Sequence, residues 1–121
     1  PHIASPDVVV DPETRSIRLY YHGLLPDGRQ ATRVATSSDG LDFTAHPEVL
    51  GAPYFRVFHH AGWWWALAMP GLLYRSADGL TGFERGPTLF EPDMRHSAVL
   101  VRDGRLHVFW TRVGDAPERV L

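Results

Sequence analysis

Five side chains in this sequence could meet a polar ligand, and each stands beside the start of an apolar run. Asp7 follows Pro6 ahead of Val8-Val9-Val10, and Tyr54 and Arg56 flank Phe55 ahead of Val57-Phe58. Arg95 and His96 precede Ser97-Ala98-Val99-Leu100-Val101. A carboxylate at a strand start could face a shared axis; its plainer use is to accept nearby backbone N–H groups. Arg56 could clamp a carboxylate, such as that of a uronic acid, through its planar fork, or serve as a buried partner for Asp7. His96 could bind a sugar hydroxyl or, as a neutral imidazole, an axial metal ion. Its plainer reading is a half-buried, satisfied histidine, so no metal and no cofactor is expected.

Other eye-catching groups read as structure. His59 and His60 are adjacent, and neighbours on a strand point to opposite faces, which keeps them from one ion. Trp63-Trp64-Trp65 could stack on a sugar, but alternate indoles on a second strand pack into a core. Asp39 and Asp78, with Ser37 and Ser76, belong to tight turns that cap themselves. No Ser-His-Asp arrangement is credible.

The elements that must position the five are strands. Ser37-Ser38-Asp39-Gly40-Leu41-Asp42-Phe43 is echoed by Ser76-Ala77-Asp78-Gly79-Leu80-Thr81-Gly82-Phe83, with the Asp-Gly pairs 39 residues apart. Asp-Gly supplies the positive φ of a tight turn, and a period near forty suits four-stranded propeller blades. Around these turns, runs at Val8–Val10, Ile17–Tyr21, Ala31–Thr36 and Phe43–Ala45 make one unit. Phe55–His59, Trp63–Met69, Leu72–Ser76 and Phe83–Arg85 make a second. Ser97–Val101, Leu106–Thr111 and a strand beginning at Glu118–Leu121 open a third. No segment has a helical period. The expectation is an all-β partial propeller over 1–121, with blade-like units near 3–50, 51–92 and an incomplete 93–121. A sandwich also has short, evenly spaced strands. An open propeller leaves unpaired edges, so self-association or further blades of a longer chain are expected; Pro1 in place of an initiator Met fits the latter.

Composition sets outer bounds. The 121 residues are 44% hydrophobic and 21% charged, enough for one domain with a core. A net charge of −2 argues against nucleic acid or an anionic membrane as partner. The absence of Cys excludes disulfides and thiolate metal sites. No apolar run reaches membrane-spanning length, and the compartment is left unassigned.

Ala4-Ser5-Pro6-Asp7-Val8-Val9, followed by a turn and Leu19-Tyr20-Tyr21, resembles the second blade of the five-bladed glycoside hydrolases of the family 43 arabinanase and β-xylosidase type and their clan relatives. Arg95-His96-Ser97-Ala98-Val99-Leu100-Val101-Arg102-Asp103-Gly104 resembles their fourth blade, and the Ser-x-Asp-Gly turns resemble those joining outer strands. The resemblance implies an axial sugar pocket and three carboxyl groups: a base on the first blade, an orienting Asp on the second and an acid Glu on the third. Asp7 matches the orienting Asp and His96 the fourth-blade histidine. No Glu precedes Val57; Glu48 lies a few residues early and reaches only if its loop folds back. The resemblance thus implies binding, and in the complete protein hydrolysis, of a glycoside, with Tyr54, Arg56, Arg95 and His96 as contacts and the isolated chain inactive. The alternative is a non-catalytic propeller module for carbohydrate or protein recognition.

Overall fold

The structure is a computed structural model that describes residues 2–121. Its described residues form ten strands and no helix: β1 (Ile3–Val10), β2 (Ile17–Leu24), β3 (Gln30–Ser37), β4 (Thr44–Ala45), β5 (Arg56–His60), β6 (Trp63–Ala68), β7 (Leu72–Ser76), β8 (Glu84–Thr88), β9 (Met94–Arg102) and β10 (Arg105–Arg112). Strands β1–β4 make one four-stranded antiparallel sheet in chain order, β5–β8 a second, and β9–β10 a two-stranded third. The all-β expectation holds.

Turn chemistry sets the register. Ser37 Oγ accepts the N–H of Gly40 at 2.8 Å while Asp39 caps Leu41 and Asp42. Ser76 and Asp78 repeat this at Gly79, Leu80 and Thr81. Because Ile17 pairs with Ser37 and Trp64 with Ser76, the second and third strands of the two sheets correspond in register, as do the first strands from Asp7 and Arg56 onward. Asp7, opposite Tyr20 and then Val34, falls where Arg56 stands opposite Leu67 and then Leu73. The β5–β6 and β9–β10 hairpins turn through Ala61-Gly62 and Asp103-Gly104, all at positive φ. Counted from those turns, His96 stands where Tyr54 does. The Glu118–Leu121 strand is a correction: that stretch is irregular, and only Leu121 pairs with β10, through reciprocal backbone bonds to Trp110 at 2.8 and 3.2 Å.

The core lies between the first two sheets and contains Tyr20, Val34, Leu50, Phe55, Val57, Trp64, Ala66, Leu72 and Tyr74. β2 inverts the ordinary rule of strand alternation, since Arg18, Tyr20 and His22 are buried while Ile17, Leu19 and Tyr21 on the other face are half-buried. Of the three tryptophans, Trp64 is buried and Trp63 is exposed, with the Arg75 guanidinium 4.2 Å over the Trp63 ring.

Candidate functional site

The first strands of the three sheets are tied side to side, and the predicted site residues make the ties. Asp7 on β1 accepts the backbone N–H of Val57 on β5 at 2.7 Å. Arg56 on β5 donates Nε to the carbonyl of Ser97 on β9 at 3.0 Å and Nη1 to its neighbour Phe55 at 3.0 Å. Asp7 is brought to its place by an irregularity between Ala4 and Asp7, where Ser5 adopts φ 49°. Burial pushes the Asp7 carboxyl up from its ordinary range, while the Val57 N–H and the Arg56 charge pull it back. Asp7 and Arg56 therefore meet backbone rather than each other, and Arg56 has two nitrogens committed before any ligand arrives.

Tyr54 is positioned by the chain behind it. Thr32 on β3 accepts the Leu50 N–H at 2.8 Å, donates its own N–H to Gly51 at 2.9 Å and its hydroxyl to the Ala52 carbonyl at 2.7 Å. Gly51 is required there, because a Cβ would lie 2.8 Å from the Tyr74 ring. Thr32 is the cross-strand neighbour of His22, so anchoring residues 50–52 on Thr32 delivers Tyr54 to His22. Tyr54 itself takes φ 67°, an uncommon conformation for an aromatic residue.

The result is a file of rings. His2 and His22 have centroids 5.7 Å apart, His22 and Tyr54 4.6 Å, and Tyr54 and His96 5.0 Å in an edge-on arrangement. Burial, then the charges of His2, Arg56 and His96, hold His22 below the ordinary histidine range. Burial and Arg95 lower His96, against an opposing pull from Glu118. Arg95 is exposed and reaches the cluster through its charge. Glu48 is placed away from it, accepting the Gly82 N–H of the second turn at 2.9 Å. Among the described residues no group of three His, Asp or Glu side chains is poised to hold a metal ion. A hollow of about 650 Å³ lies apart from the cluster, beside Ser16, Arg18, Thr36 and His46. His96 also borders a shallow hollow of about 210 Å³ with Ser97, Ala98, Phe109, Trp110 and Val120.

Sequence reasoning missed His22 and His2. The apolar run Ile17–Tyr21 stops one residue short of His22; the signal is the polar-tipped series Arg18, Tyr20, His22 at a spacing of two.

The geometry defines an all-β protein whose adjoining first strands and the loops ahead of them carry a histidine and tyrosine cluster. The chain is 30% identical, over 137 aligned positions, to uncharacterized protein R118 of Acanthamoeba polyphaga mimivirus, an alignment covering 98% of this chain and 38% of that protein. The chain thus spans well under half the length of this relative. No family model matches the chain. No solved structure matches it.

Proposed function

We propose that this chain is part of a five-bladed-propeller-type protein of the glycoside hydrolase kind, and that its cluster binds a carbohydrate. The observation that carries the reading is the convergence of Asp7, Tyr54, Arg56 and His96, with His22, from three successive sheets. Aromatic and imidazole rings offer flat faces and hydrogen-bonding edges, which is how a sugar ring with its hydroxyls is held. The register repeat of the first two sheets, and the adjoining of β1, β5 and β9, support the propeller reading. Exposed Val8 and Val10 on one flank, and Leu100, Leu106 and Phe109 on the other, support packing that continues in further sheets or a second chain.

Within that reading, binding without hydrolysis is the function the site supports. Glycoside hydrolysis needs two carboxyl groups on opposite sides of the bond. Asp7 is the candidate carboxylate on the first strands, and it is engaged with the Val57 N–H; Glu48 is at the rim. A glycan array beside a chromogenic glycoside panel tests this. The expected result is binding without turnover, weakened about tenfold or more by His96→Ala. Turnover abolished by Asp7→Asn would assign an enzyme instead. An array with no bound glycan would remove the carbohydrate reading altogether.

A further inference from the structure

Buried polar groups are almost always hydrogen-bonded, and an exception calls for a reason. His22 is 1% exposed, and among the described residues neither Nδ1 nor Nε2 meets a donor or acceptor. Its neighbours in the ring file, His2 and Tyr54, stand at 5.7 and 4.6 Å between centroids, which is ring packing rather than hydrogen bonding. Neighbouring polar groups are directed elsewhere: the Thr32 hydroxyl is donated to Ala52, and Arg56 gives Nε and Nη1 to the carbonyls of Ser97 and Phe55. Hydrophobic residues would fill this position with no such cost.

One side of His22 is packed by the His2 ring, 5.7 Å away between centroids. His2 is exposed and lies just ahead of β1, where Ile3 pairs with Gly23. Its carbonyl sits so close to Gly23 that a Cβ there would be 3.1 Å away. Glycine at 23 thus lets the chain carrying His2 lie against β2, next to His22.

We propose that His22 is a ligand-reading residue of this site, its two ring nitrogens meeting hydroxyl groups of a neutral polyhydroxylated ligand that lies against Tyr54 and His96. The proposal rests on the carbohydrate reading above and narrows it. A neutral imidazole presents one donor and one acceptor, and a hydroxyl can answer either, so neighbouring hydroxyls satisfy the ring in both tautomers. A carboxylate only accepts and leaves the acceptor nitrogen unmet. Burial, then the charges of His2, Arg56 and His96, lower the ring's affinity for a second proton and so favour its neutral form. Arg95 and Arg56 act on His96 against Glu118, and Arg56 also acts on His22, so the neutral class rests on the hydrogen bonding of the ring and not on the charges around it.

The test compares this chain with its His22→Phe variant, which keeps a flat ring and removes both nitrogens. Calorimetric titrations use methyl β-D-xyloside, methyl β-D-glucoside, methyl β-D-galactoside and methyl β-D-glucuronide. The expected result is a neutral glycoside bound about tenfold more weakly by the variant, whose melting temperature rises by about a few degrees. In the unaltered chain, the ring ¹⁵N resonances of His22 shift on saturation with the bound glycoside, a readout that needs no variant to fold. Unchanged affinity in His22→Phe, or ring resonances that do not move, overturns the assignment of His22 while leaving the carbohydrate site standing. Preference for the glucuronide overturns the neutral class. Failure of all four to bind overturns the carbohydrate reading and this proposal with it.

Discussion

Along one face of β2 the residues Arg18, Tyr20 and His22 point the same way, yet the two ends of this row live under opposite rules. At the outer end, Arg18 gives Nη2 to Asp11 and Nη1 to the Asp78 carbonyl, with its guanidinium 4.2 Å over the Trp64 ring and Nε alone left without a partner among the described residues. Tyr20 donates its hydroxyl to the Gly79 carbonyl at 2.7 Å, and burial pushes that phenol up to about 12. At the inner end His22 is as buried as Tyr20, and its ring nitrogens have no partner among the described residues. Equal burial with unequal satisfaction separates what holds the sheets together from what is kept for another purpose, since a chain under selection for stability alone would treat both ends alike.

The largest effect that would sharpen this contrast is Arg18→Ala. Asp11 is 5% exposed, and removing its partner leaves a buried carboxylate held only by the N–H groups of Glu13 and Thr14. The expected loss is about 3–5 kcal/mol of unfolding free energy, read by urea titration. A loss below about 1 kcal/mol would mean that the outer end is not a clamp, and the contrast along β2 would disappear.

A second comparison exploits the repeated turn. Gly40 and Gly79 are equivalent and both have positive φ, at 80° and 72°. A Cβ at Gly40 would meet only the tip of Ile17 at 3.1 Å, whereas at Gly79 it would lie 2.5 Å from Arg18 and 2.7 Å from Trp64. Alanine at either site carries the backbone strain, but at Gly79 it also drives into the clamp. Gly79→Ala is therefore expected to lose about 1–3 kcal/mol more than Gly40→Ala in parallel urea titrations. Equal losses would mean that the first two sheets do not meet at this turn.

How much of this was legible in the residues follows from the same physics. The two Ser-x-Asp-Gly turns are local: each hydroxyl and carboxylate caps its own backbone. Their 39-residue spacing accordingly placed the sheets and their outer strands. Asp7, Tyr54, Arg56 and His96 were readable as residues beside apolar runs, but only Arg56 opens its strand: Asp7 is the fifth residue of β1, past an irregularity, His96 is the third of β9, and Tyr54 lies ahead of β5. What they touch was not readable, because the Asp7–Val57 and Arg56–Ser97 ties join residues 50 and 41 positions apart. His22 was invisible for another reason. Apolar-in alternation assigns Ile17, Leu19 and Tyr21 to the core, and on β2 the neighbouring sheet instead buries the long polar-tipped side chains whose ends reach its turn.

The smallest effect is the dependence of stability on acid, which should divide between the two ends. Burial opposes ionisation of Asp11, but the Thr14 and Glu13 N–H groups and Arg18 outweigh it and hold its carboxyl below 3.8. Its contribution is thus present above pH 3.8 and is lost as pH falls through the folded value. His22 and His96 are held below 6.5, chiefly by burial. The unfolded chain binds their protons first, so their contribution is present above pH 6.5 and fades as pH falls towards the folded values. Asp7, raised above 3.8, runs the other way: its contribution is greatest below that pH and is lost as pH rises through the folded value. Urea midpoints measured from about pH 7 down to about pH 3 should therefore fall in two stages. His22→Phe should flatten the upper stage and leave the lower one in place. An upper stage of the same size in that variant would show that protonating His22 costs the fold nothing, and the inner end of β2 would then be no more exacting than an exposed surface.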